Sequence, residues 1–178
     1  MSTVRKVAVI GSNSFSGSDF IDLLLGNAET QVLGISRSPE KSDLFIPYRQ
    51  HGPERFTFRQ LDLNDDAAEI VKELDGFEPE YIVNFAAQSE VGPSWDFPEQ
   101  WFETNTVALA KLLNSLRQRD YLRRYVHISS PEAYGTTEGL VTESAPLNPS
   151  TPYAASKAAA DLLISTFVSY YGFPAVTI

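Results

Sequence analysis

Val7-Ala-Val-Ile-Gly-Ser-Asn-Ser-Phe-Ser-Gly17 decides the fold. An apolar, β-branched run stops at Gly11, and a stretch with helical spacing starts near Phe15. Glycines at 11 and 17 suit a tight turn and a close helix–strand contact. The helix that follows offers its first backbone N–H groups, which have no partner inside the helix, to an anion. The middle position of a Gly-x-x-Gly-x-x-Gly pattern holds Ser14, whose Cβ crowds a phosphate and whose hydroxyl is able to donate to one. Small residues between a strand and a helix also make an ordinary connection. A first βα turn, however, is where such folds hold a dinucleotide pyrophosphate, so Gly11, Asn13, Ser14, Phe15, Ser16 and Gly17 are the candidate phosphate-binding residues.

Working outward, apolar runs alternate with longer helical stretches. Strands are expected at Val4–Ile10, Gln31–Ser36, Arg55–Gln60, Glu80–Phe85, Arg124–Ser129 and Ala175–Ile178, and helices at Phe15–Leu25, Asp65–Leu74, Pro98–Gln118 and Pro152–Tyr171. Residues 37–53 read as a polar loop or short helix. Strands apolar on both sides, alternating with helices, predict an α/β fold: a Rossmann-type doubly wound parallel sheet with helices on both faces. No repeat or linker interrupts residues 1–178, which read as one NAD(P)-binding domain.

The 178 residues contain no cysteine and carry a formal charge of −9, which excludes disulfides and cysteine-ligated metals and argues against general nucleic-acid binding. No long apolar segment marks a signal peptide or membrane span, and a cytoplasmic, reducing location fits. The sequence stops inside an apolar run, Gly172-Phe-Pro-Ala-Val-Thr-Ile178, as a piece of a longer protein would.

Tyr153 and Lys157 lie four residues apart in Thr151-Pro-Tyr-Ala-Ala-Ser-Lys157, so on a helix the phenol and the ammonium share a face. A nearby cation favours a phenolate, which then takes a proton from an alcohol as hydride leaves the same carbon. Alone, the pair is equally a solvated helix face; a dinucleotide site elsewhere gives it meaning. After the second strand, Gly34-Ile-Ser-Arg-Ser38 offers Arg37 and no acid, which leans toward NADP, with NAD the alternative. Asp62 and Leu63 either bound an adenine pocket or, for Asp62, cap the next helix.

Four stretches now stand in one order: the glycine loop, Asn84-Phe-Ala-Ala-Gln-Ser89, Ser129-Ser-Pro-Glu-Ala-Tyr-Gly135 and Tyr153-x-x-x-Lys157. Together with Phe102-Glu-Thr-Asn105 and Thr142-Glu-Ser-Ala-Pro146 they resemble the extended short-chain dehydrogenase/reductases, and among these the nucleotide-sugar 4,6-dehydratases acting on GDP-mannose or dTDP-glucose. The resemblance implies a catalytic set of Ser130, Tyr153 and Lys157, with Glu132 removing the C5 proton of a transient 4-keto sugar. It implies a nicotinamide wall at Phe85, Ala86, Ala87 and Ser89 with Thr104 nearby, and Tyr153 and Lys157 touching the cofactor as well. It also implies a nucleotide-sugar substrate, a homodimer through two helices, and a C-terminal substrate-binding region that this chain lacks, leaving it weakly active or inactive alone. Pro131 departs from the pattern, since aspartate or serine stands there in those dehydratases. An epimerase or decarboxylase of the same family is therefore the rival, and a non-catalytic NAD(P)-binding regulator a second. His127 reads as a structural core histidine, His51 as no metal ligand, and Trp95, Phe97, Trp101 and Phe102 as packing residues.

Overall fold

The computed structural model describes residues 4–178. Its strands are β1 (Arg5–Ile10), β2 (Thr30–Ser36), β3 (Phe56–Gln60), β4 (Tyr81–Asn84), β5 (Arg124–His127) and β6 (Ala175–Thr177). They form one sheet in the order β3-β2-β1-β4-β5-β6, with every neighbouring pair parallel. The order reverses between β1 and β4, and the chain leaves these two neighbours in opposite directions across the sheet, which opens a crevice at their carboxyl ends.

Alternate residues of the strands fill two layers. Ala8, Ile10, Leu33, Ile35, Ile82 and Tyr125 pack under α2 (Ala67–Phe77), α4 (Leu109–Leu116) and α5 (Pro152–Tyr171). Val7, Val9, Val32 and Val83 pack on the other face under α1 (Phe15–Leu25). Residues 37–53 are more than a polar loop. They form short 3-10 turns, and their buried Ile46 and Tyr48 join that second layer. Tyr48 donates its hydroxyl to Glu40, whose other oxygen takes Arg49, so the strap is fastened by its own side chains.

The helix expected over Pro98–Gln118 is broken into three parts. Helix α3 (Pro98–Phe102) runs into a π-helical segment, Glu103–Ala108, and then into α4. The wider turn is a single-turn bulge of the kind that gathers at functional sites. Helix α2 begins later than expected, at Ala67, and β4, β5 and β6 are shorter than the apolar runs that announced them. Of the residues left over, Phe85 joins the loop after β4 that lines the crevice. Of the aromatic group near α3, Trp101 alone is buried, while Trp95, Phe97 and Phe102 are exposed.

Helix α1 meets the sheet at Gly17, where a Cβ would collide with the carbonyl oxygen of Gly11. That obstacle is backbone and does not swing aside. Replacing Gly17 by alanine should therefore cost about 1–3 kcal/mol through overpacking, read as a lower urea midpoint at unchanged slope; an unchanged midpoint would contradict this packing.

Candidate active site

The parallel register sets β1 beside β4, pairing Ile10 with Asn84, so the chains leave these strands side by side. Gly11 follows with φ 84°, and a Cβ there would lie 2.5 Å from the Ala86 nitrogen. Glycine is needed here for a positive φ and for contact with the next strand's exit, more than for room beside a phosphate. Ser14 caps α1, its Oγ accepting from Gly17 N at 3.0 Å. The hydroxyl proton of Ser14 stays free to donate.

A cavity of about 210 Å³ opens at this point. Gly11, Asn13, Ser14, Arg37, Asp62, Leu63, Phe85, Ala86, Ala87 and Thr104, all singled out in the sequence, line it together with Gln88 and Asn64. Phe15 and Ser16 point to solvent, Gly17 packs against Gly11, and Ser89 is exposed; none of them lines it. Asp62 is not a helix cap. Its Oδ1 accepts from Asn64 N at 2.9 Å, and the residue before α2 is Asp66. Asn13 reaches across to the exit of β2, sharing its amide protons among Ser38 O, Ser38 Oγ and Pro39 O at 2.8–3.0 Å. The turn that carries Arg37 is thereby pinned to the phosphate loop, and the exposed Arg37 side chain stands at the cavity mouth and in the open groove beyond it.

Tyr153 and Lys157 do not line the cavity. They lie on the buried face of α5, which Thr151 caps by accepting from Ala154 N, with Pro152 at the first helical position. Lys157 is 1 % exposed. Its Nζ donates to Ile128 O at 2.7 Å and to His127 Nε2 at 3.2 Å. An ammonium has no lone pair, so His127 Nε2 is the acceptor and the ring proton sits on Nδ1. The Asn84 amide nitrogen lies 3.5 Å from that Nδ1, which with donors on both sides is a contact and no bond. Burial pulls the Lys157 pKa down to about 8, against the opposing pull of Asp161. Burial, reinforced by the Lys157 charge, holds His127 down at about 3. Ser130 lies two residues beyond Ile128, its Oγ accepting from Glu132 N at 3.3 Å, and Glu132 itself is exposed.

Of two residues that sequence reasoning left aside, one ties the cavity to this helix and the other touches its lysine. Asn105, within the π-helical segment, reads the backbone of Gln88 in both directions, accepting from its N at 2.9 Å and donating to its O at 3.0 Å. The same amide donates to Ser156 Oγ, which in turn donates to Tyr153 O. His127 was read as structural, yet it touches the Lys157 ammonium directly. A histidine just before a loop that carries candidate catalytic residues was the one signal available for it.

Comparison with known proteins agrees with this architecture. The family described as GDP-mannose 4,6 dehydratase matches residues 9–178, and the chain belongs to it. The dTDP-glucose 4,6-dehydratase of Xanthomonas campestris pv. campestris is 37% identical over 181 residues, 95% of this chain and 50% of that protein. Its counterpart in Neisseria meningitidis serogroup B is 30% identical, over 97% of this chain and 52% of that one. Among solved structures, the dTDP-glucose 4,6-dehydratase DesIV from Streptomyces venezuelae, with NAD bound, superposes with a TM-score of 0.85 at 31% identity, covering 97% of this chain and 54% of that chain. The UDP-glucuronic acid 4-epimerase of Bacillus cereus, in complex with UDP-glucuronic acid and NAD, follows with a TM-score of 0.82 at 25% identity, covering 97% and 55%. The chain spans about half the length of the curated relatives it matches.

The neutral, buried His127 makes the fold acid-sensitive. Unfolded, the ring takes its proton near 6.5; folded, only near 3. Between those values the unfolded chain binds more protons, so stability falls as pH drops below about 6.5. Replacing His127 by glutamine should remove roughly 3 kcal/mol of the stability difference between pH 7 and pH 4, measured by urea unfolding at both. An equally steep acid limb in the variant would assign that loss elsewhere.

Proposed function

We propose that this chain is the dinucleotide-binding part of a nucleotide-sugar 4,6-dehydratase. The observation that carries the reading is that α5, the helix of Tyr153, seats Lys157 against the exit of β5, from which Ser130 and Glu132 follow. This lies beside a cavity at the switch point whose wall is bonded to the same helix through Asn105. The cavity lining suits a dinucleotide: a helix N-terminus, a free Ser14 hydroxyl proton and the residues that leave β1, β2, β3 and β4. A bound nicotinamide supplies the hydride acceptor and, later, its donor.

The side chains divide the proton work. Ser130 hydrogen-bonds the sugar 4-hydroxyl and Tyr153 removes its proton, while the Lys157 ammonium steadies the phenolate. The ketone formed at C4 acidifies the C5 hydrogen, which Glu132 takes as the 6-hydroxyl leaves. Pro131 has no proton to give, so assistance to the leaving hydroxyl falls to Glu132 or water. That same residue is what favours a second reading, a C4 epimerase, which needs the first oxidation and no acid there. Arg37, with no acid at the end of β2, supports NADP, although the two similar structures above hold NAD. The exposed Val107 and Leu162 support a homodimer through α4, α5 and the π-helical segment.

Single-turnover incubations in D₂O of the protein extended to the full length of its relatives, with GDP-, dTDP- and UDP-sugars, separate the readings. Deuterium at C5 with loss of the 6-hydroxyl is the expected result. Inversion at C4 without C5 label favours the epimerase, and tight NADP(H) binding with no turnover favours a regulator. In an active preparation, Glu132→Gln should lower kcat by about 10²–10⁴-fold with nucleotide-sugar binding retained. For the cofactor, Arg37→Ala should weaken NADPH at least about tenfold, a loss of one charge-assisted contact, and leave NADH unchanged; equal losses for both would remove the case for NADP.

A further inference from the structure

Lys157 has three N–H donors and only uncharged acceptors in contact, the Ile128 carbonyl and a neutral imidazole. A buried ammonium with no anion in reach gives up its proton. Around it, β5 contributes His127 and the loop after it Ile128, while Ser156, which receives the Asn105 amide, immediately precedes it on α5; none of them is an acid. Its own helix contributes Tyr153 one turn back and Asp161 one turn on, all three on one stripe.

Asp161 is spent in an uneven way. Its Oδ2 accepts from Ser129 Oγ at 2.5 Å, while Oδ1 is buried with no hydrogen-bond partner among the described residues. An orphaned buried carboxylate oxygen costs stability unless its charge serves something nearby. Ser129 in turn precedes Ser130 and donates its backbone N–H to Ile178 O at 2.7 Å. One carboxylate therefore touches the exit of β5 and faces the lysine on α5.

We propose that Asp161 is a positioning residue: its charge keeps the buried Lys157 protonated, and its bond to Ser129 fixes the Ser130 loop against the helix that carries Tyr153. Its part in the reaction rests on the dehydratase reading above; its hold on the lysine does not. Burial lowers the Lys157 pKa and Asp161 raises it, leaving it at about 8. Without the carboxylate, Lys157 is expected to lose its proton within the physiological range. The Asp161 carboxyl is itself raised by burial and held back by Ser129 and Lys157, in that order.

The test is an NMR titration of the 178-residue chain carrying ¹⁵N-labelled lysine, as wild type, Asp161→Asn and Asp161→Glu. The Lys157 midpoint should fall by about one pH unit in Asp161→Asn, and Asp161→Glu should restore it, as expected for loss and return of one nearby charge. An unmoved midpoint overturns the proposal. If Asp161→Asn does not fold, the wild type still decides. Its Lys157 resonance should show a second, smaller step in the acid range as Asp161 takes its proton, and a single step overturns the idea. Where nucleotide-sugar turnover is measurable, the alkaline limb of kcat should move down with the lysine midpoint, and a fixed limb overturns the catalytic half. A shifted lysine, with no sugar turned over by the protein extended to the full length of its relatives, leaves the hold on Lys157 standing and removes the dehydratase reading instead.

Discussion

Taking the Lys157 side chain out of water is the demand to which the surrounding structure answers. With 1 % of its surface exposed, the ammonium depends on protein groups for everything that hydration supplied. Two of its protons go to the last residue of β5 and to the one after it. That fixes the tautomer of His127, keeps that ring neutral and holds the strand exit at a set distance from α5. The loop with Ser130 and Glu132 starts from that fixed point. Moving the lysine would move the loop, so the stability of the fold and the placing of that loop share the same bonds.

The second joint is the Asn105 amide. Gln88 N and O face it as one strand faces another, which leaves no ambiguity about which end is oxygen. Its remaining proton reaches Ser156, one residue before Lys157. The cavity wall and the helix that carries Tyr153 and Lys157 are thus parts of one body, although the cavity stops short of Tyr153. On the other side, Asn13 does the same for the turn with Arg37. Both amides are buried or nearly so and both bridge segments far apart in the chain.

Much of this was legible in the sequence because it is local. Apolar runs broken by helical stretches announced the sheet, and the turn after Ile10 announced the crevice. Tyr153 and Lys157 are related by helical spacing, which periodicity sees. Asn105 and Asp161 were not legible, because their meaning lies in partners 17, 51 and 32 positions away. The strap at 37–53 was missed for a related reason: two isolated apolar residues, Ile46 and Tyr48, make no periodic pattern, yet both are almost fully buried. Three of four clustered aromatics stayed outside the core, since composition alone does not say which way a short helix turns.

The widened turn at Glu103–Ala108 has a consequence for how this helix tolerates changes in length. Trp101 and Leu109 are both buried, at 4 % and 1 %, yet eight residues of regular α-helix would set them about 80° apart around the axis. The looser winding between them brings both toward the protein interior. Removing a single residue there would leave seven, which regular winding sets only about 20° apart, so both ends would keep their faces and the bulge alone would be lost. The cost would fall on the amide of Asn105, which the wider turn holds against Gln88. A one-residue insertion has no such outlet and would turn the two ends about 100° relative to each other.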